Sequence, residues 1–263
     1  MVRRGIRKQL GYIRRNLRHI EELGEKVGLD KLSKKEYKDL LVIGEVYRQQ
    51  KEMYKKGIHR VEGRIVSISQ PHVRPIVRGK VASPVEFGAK ISVSVVDGYV
   101  FLDRLSWENY NESADLKDQV ERYRDRYGYY PESVHADKIY RSRENRRFCE
   151  SLGIRLSGPP LGRPKKERDR EKEKIAWQDE IDRIAVEGKF GNGKRRYGLS
   201  RIMSKRADTS ASSIGMIILV MNMEKILKDF LFVIFVYVVL GNINRFRRYN
   251  YSNNSLKSAI FLN

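Results

Sequence analysis

Asp137, Glu187, Arg183 and Lys194 are the side chains whose types and spacing could do chemistry in this sequence. Asp137 ends a short apolar run, Tyr129–Tyr130–Pro131–Glu132–Ser133–Val134–His135–Ala136, that reads as a strand. Glu187 closes Arg183–Ile184–Ala185–Val186–Glu187, and Lys194 follows seven residues on. One carboxylate at a strand end and a second on a helix supply hard oxygen ligands for a divalent ion. Flanking cations supply contacts to phosphates. Together these are the parts that metal-dependent chemistry on a phosphodiester needs.

Such a centre calls for a third carboxylate, and no acidic residue stands out for it. Asp97 precedes Gly98, and that dipeptide is explained by a type I′ hairpin turn without any catalytic role. Asp103 follows the returning strand of the same hairpin and is no better placed. His135 lies two residues before Asp137, so it shares a strand face with it. It can stand beside the ion or simply be packed. The four histidines are scattered, and there is neither a CxxC pair nor an HExxH motif, so a zinc site is not expected.

The chain has 263 residues, 40% of them hydrophobic, which suits a globular protein of one large domain or two small ones. Its 54 Lys and Arg outweigh 33 Asp and Glu, for a formal charge of +21. That excess calls for a polyanion, and nucleic acid is the commonest. Cys149 is the only cysteine, which excludes an internal disulfide and fits a reducing compartment. The basic start has no apolar core of a signal peptide. The run Phe230–Leu240 is too short for a bilayer, which needs about 20 apolar residues, and is expected to form a buried terminal helix or strand.

The elements that must position these residues follow from periodicity. Ile6, Leu10, Ile13, Leu17, Ile20 and Leu23 repeat at helical steps, with Arg3, Arg4, Arg7, Lys8, Arg14, Arg15 and Arg18 on the other face. Gly28 breaks this helix, Ser33 with Glu36 forms a capping box for a second, and Gly57 ends it. The pair predicts a helical hairpin. Residues 58–88, with three prolines, read as extended chain leading into a sheet. Strands are expected at 91–96 and 99–102 around Asp97–Gly98, a helix at 113–127 stopped by Gly128, a strand at 133–136, a helix at 145–152 and a strand at 154–156. This order predicts a mixed sheet covered by helices. The charge run 163–174 reads as a solvated helix face or a linker. A helix over 175–186 leads to Glu187, and Gly188, Gly191 and Gly193 suggest a flexible turn carrying Lys189 and Lys194. The polar tail from Asn242 to Asn263 is expected to be loosely ordered.

Three runs carry a family resemblance. Residues Arg64–Lys80 (RIVSISQPHVRPIVRGK), Val85–Lys90 (VEFGAK) and Ser157–Pro164 (SGPPLGRP) resemble transposases of bacterial and archaeal insertion sequences, of the insertion-sequence-five type within the DDE superfamily. The likeness extends to about Leu227. It implies a ribonuclease-H-like α/β fold, two Mg²⁺ (or Mn²⁺) ions, and cut-and-paste cleavage and transfer of DNA strands at transposon ends. Asp137 matches the second Asp of the family set and Glu187 its final Glu. Related families keep a Tyr, two residues, Arg, three residues, Glu, six residues, Lys. Arg183, Glu187 and Lys194 hold that spacing, and Glu180 stands where the Tyr would be.

The resemblance therefore implies Asp137 and Glu187 as catalytic metal ligands and Arg183 and Lys194 as contacts to DNA phosphates. Tyr140 is either a neighbour of the DNA backbone or a core aromatic. The first Asp of the family lies on a first strand ahead of a helical insertion, and the chain starts within what resembles that insertion. The expected domains are a basic helical hairpin at 1–57, a ribonuclease-H-like domain lacking its first strand at 58–227, and an apolar segment with a polar tail at 228–263. Strand cleavage by this chain alone is expected to be weak or absent. The implied partners are double-stranded DNA at terminal inverted repeats and further copies of the chain. The implied setting is cytoplasmic and nucleoid-associated, with no membrane contact. The alternatives are a non-catalytic DNA-binding remnant and a basic RNA-binding structural protein.

Overall fold

The structure, a computed structural model, describes residues 2–77, 85–158 and 170–260, with backbone alone for 172, 185 and 240–260. The loop around Gly79 and Pro84, most of the SGPPLGRP run and residues 163–169 of the charge run lie outside the described residues.

Helices α1 (Val2–Val27) and α2 (Lys34–Lys56) pack on each other as the expected hairpin. Gly28 turns the chain at φ 86°, the Ser33–Glu36 capping box is formed in both directions, and Gly57 closes α2 in the left-handed conformation. No residue of α1 is fully buried. The buried side of α2 centres on Met53 and Gln49. Gln49 accepts from the Ile65 amide at 2.9 Å and donates to the Gly63 carbonyl at 3.2 Å, so one buried amide fixes the chain leaving the hairpin.

The strands form three separate pairs among the described residues, not one mixed sheet. Strands β1 (Arg74–Val77) and β2 (Val85–Gly88) are antiparallel. Strands β3 (Lys90–Val96) and β4 (Tyr99–Ser106) are an antiparallel hairpin turned by Asp97 at φ 50° and Gly98 at φ 82°. Both positive φ values are what a type I′ turn demands. A register shift between Ser92 and Val93 leaves Asp103 as the extra residue of β4. Asp103 is buried and takes bonds from Gln119 and Arg126 at 3.0 Å each. This bulge explains Asp103 as a structural ion pair. Strands β5 (Ser133–Val134) and β6 (Arg155–Leu156) are parallel.

Two cores hold these pairs. In one, Val100 of β4 packs against Ile214, Ile218 and Met221 of the last helix, α6 (Ala207–Ile260). Asn222 of α6 caps the outer edge of β4, accepting from the Val100 amide and donating to its carbonyl, both at 2.8 Å. In the other, Leu116 and Val120 of α3 (Asp115–Tyr127) meet Cys149 of α4 (Arg143–Ser151) and Ile154. Burial raises the pKa of the Cys149 thiol. Between the cores, Gln119 of α3 reaches Ser92 of β3 at 3.1 Å.

Three further expectations differ from the structure. Gly188, Gly191 and Gly193 do not form a turn, because α5 runs unbroken from Arg170 to Arg196. Each glycine costs a helix about 1 kcal/mol relative to Ala. Gly193 offsets this by close packing: a Cβ there would stand 3.1 Å from Leu199 and 3.4 Å from the Met221 sulfur. The run from Phe230 is not buried. Phe232 is 66% and Phe235 64% exposed, although one turn earlier Asp229 still meets the β3–β4 hairpin, accepting from the Tyr99 hydroxyl at 3.2 Å. The polar tail is not irregular either, since α6 continues to Ile260. Among the described residues, no helix is long and apolar enough to cross a membrane.

Candidate active site

The site begins where β5 ends. After Val134 the chain leaves the sheet, and Asp137 caps a single 3₁₀ turn, Lys138–Tyr140, accepting from the Lys138 amide at 2.6 Å. The predicted strand thus stops two residues early, and Asp137 sits on the loop just beyond it. This placement is exposed, and the same oxygen, Oδ1, that accepts from the Lys138 amide also faces Arg183 of α5.

Helix α5 presents residues at four-residue steps to β5 and β6: Asp179, Arg183 and Glu187. Asp179 is buried and anchors the face. Arg155 of β6 binds both its oxygens, at 2.7 and 2.5 Å, and the His135 ring beyond β5 stands 3.4 Å away. One buried carboxylate therefore pins the helix to both ends of the parallel pair. His135 also meets Ser133 Oγ at 2.9 Å and lies 3.9 Å from Asp182, so its contacts are to the helix and its own strand.

One turn beyond Asp179, Arg183 gathers the site. Its Nη1 lies 3.1 Å from Glu187 Oε1 and 3.6 Å from Asp137 Oδ1. Both carboxylates thus meet one guanidinium nitrogen, and they are separated by no more than those two distances together. The other nitrogen, Nη2, is held by Glu180. Glu180, first of the charges around it, raises the Arg183 pKa. Lys194, two turns after Glu187, is exposed on the same helix, and its carbonyl accepts from Ser200.

Asp137, Glu187 and Arg183 are therefore brought together, with Lys194 further along one helix. Tyr140 belongs to the core around Leu116, and burial raises its phenol pKa. Asp97 is spent on the hairpin turn and Asp103 on Arg126. Asp179 and Arg155 escaped the sequence reading. The four-residue step from Asp179 through Arg183 to Glu187 was the one signal for Asp179, and Arg155 had none.

The donor set suits a hard cation only in part. Two exposed carboxylates converge, and Mg²⁺ is commonly bound by one or two carboxylates together with substrate phosphates. Among the described residues, no group of three His, Cys, Asp or Glu side chains could hold a metal ion.

No curated protein and no solved structure matches the chain. Residues 134–224 match the family model described as a transposase DDE domain, and that stretch contains Asp137, Arg183, Glu187 and Lys194.

Proposed function

We propose that the chain acts on DNA as a transposase of the DDE type, of the insertion-sequence-five group, at the terminal inverted repeats of a mobile element. The observation that carries this reading is the convergence of Asp137 and Glu187 on Arg183, inside the stretch that matches a transposase DDE domain. The net charge of +21 supports a polyanionic partner. The element order supports a ribonuclease-H-like arrangement: antiparallel hairpin, helix, strand, helix, parallel strand, helix.

Asp137 and Glu187 would hold a divalent ion, Mg²⁺ or Mn²⁺. With a second ion beside it, the pair would activate the attacking oxygen and stabilise the leaving one. Arg183 performs two tasks. Without DNA it lies between both carboxylates, offsets part of their charge and keeps them near each other. With DNA it turns to a phosphate flanking the scissile bond, where a guanidinium forms paired bonds. Lys194 contacts a further phosphate as a point charge. Glu180, which holds Arg183 Nη2, restrains that turn.

The test is incubation with Mg²⁺ or Mn²⁺ and duplexes ending in the inverted repeats that flank the gene. Weak metal-dependent nicking at the repeat ends, lost in Asp137→Ala, supports the reading. A second reading, a DNA binder without cleavage, is favoured by the two-carboxylate donor set. It predicts retained binding to the repeats with no nicking under either metal. Preference for RNA over duplex DNA would oppose both.

A further inference from the structure

Helix α4 and strand β6 border an open cleft of about 900 Å³ whose lining includes Arg143, Arg146, Arg147 and Arg155, with Glu150 as its one acidic side chain. Arg155 is committed to Asp179. Arg146 is anchored, its Nε donating to the Arg141 carbonyl at 3.4 Å. Arg143 and Arg147 are different: both are exposed, and neither makes a hydrogen bond or ion pair with any described residue. They lie one helical turn apart, so their Cβ atoms share a face at about 5–6 Å. Two unengaged guanidinium groups at that spacing in a concave basic surface are matched to phosphates along one nucleic-acid strand.

The cleft is tied to the candidate centre through one shared residue. Arg155 lines it and grips Asp179, and Asp179 begins the row that leads through Arg183 to Glu187. A strand lying in the cleft would thus pass Arg155, the partner of the carboxylate that anchors this row. We propose that this cleft is a docking track for the phosphodiester backbone of duplex DNA flanking the reaction site, with Arg143 and Arg147 as its principal contacts. The proposal rests on the reading of the chain as a DNA-acting protein.

The experiment measures binding of the full chain to a fluorescent duplex by anisotropy across a salt series. The double variant Arg143→Gln/Arg147→Gln is compared with Lys34→Gln/Lys35→Gln, which removes the same charge from the exposed start of α2. Loss of two phosphate contacts lowers the slope of log affinity against log salt by about 2. That change is expected in the α4 variant and absent in the α2 variant. Arg143→Lys/Arg147→Lys is expected to keep the slope, which separates lost contacts from misfolding. Equal effects in the two Gln variants, or no change in slope for the α4 variant, would overturn the cleft while leaving the DNA-acting reading intact. No duplex binding by the parent chain would defeat that reading itself. Tighter, equally Arg143-dependent binding of single-stranded RNA would reassign the cleft to RNA.

Discussion

Arg183 stands 3.6 Å from Asp137, a residue 46 positions earlier, and closer still to Glu187 on its own helix. A cation between two carboxylates competes with any metal for the same oxygens. Arg183→Gln is therefore expected to tighten Mn²⁺ binding in the absence of DNA, by up to about fivefold, the scale of one exposed ion pair. The same variant weakens DNA binding. Titration calorimetry with and without duplex checks both signs. Weaker Mn²⁺ binding in the variant would show that Arg183 organises the carboxylates more than it blocks them.

Asp179 sets the register of α5 against β5 and β6. Asp179→Asn loses charge-assisted bonds to Arg155, a cost of about 1.5–3 kcal/mol in global stability. Urea unfolding checks this. Because Arg183 and Glu187 follow on the same face, the variant also loses metal affinity under conditions where it remains folded. An unchanged affinity would mean that α5 is positioned elsewhere.

Asn222 satisfies both backbone groups of Val100 at the edge of β4. Asn222→Leu leaves a partly buried amide and carbonyl without partners, at about 1–3 kcal/mol. The expected result is a lower urea midpoint with an unchanged slope. Asn222→Asp recovers only the bond from the Val100 amide and falls in between.

His72 packs edge-on against Trp107 with ring centroids 4.3 Å apart. Burial, then Lys38 and Arg74, lower its pKa below the ordinary 6.5. The unfolded chain therefore takes up its proton first as pH falls. Stability from the neutral ring is complete above about pH 6.5 and declines as pH drops toward the folded value. Thermal melts between pH 7.5 and 5 should show a smaller acid loss in His72→Phe than in the parent chain.

The helical hairpin was legible because capping and periodicity are local: Ser33, Glu36, Gly28 and Gly57 each do what their chemistry prescribes. The Asp97–Gly98 turn and the Gly128 stop were legible for the same reason. The run through Gly188, Gly191 and Gly193 was not, because the close approach of Leu199 and Met221 that favours Gly193 in a helix is tertiary. The apolar stretch from Phe230 misled in the opposite direction. Hydrophobicity predicts burial only where the fold supplies a partner surface, and Phe232 and Phe235 stay about two-thirds exposed. Asp137 and Glu187 were identifiable as types at a spacing. Their meeting at Arg183 depends on Asp179 and Arg155, whose pairing joins residues far apart in the chain.

Asp137 and Glu187 are proposed to bind a divalent ion together beside a DNA strand. The most direct measurement is Mn²⁺ binding to the chain in the presence of a repeat-end duplex, by electron paramagnetic resonance. Asp137→Asn and Glu187→Gln are measured singly and together. Bound Mn²⁺ that falls in each single variant, with no additional loss in the double, is the predicted result. Mn²⁺ binding equal in the parent and all three variants, or absent from the parent, would contradict it.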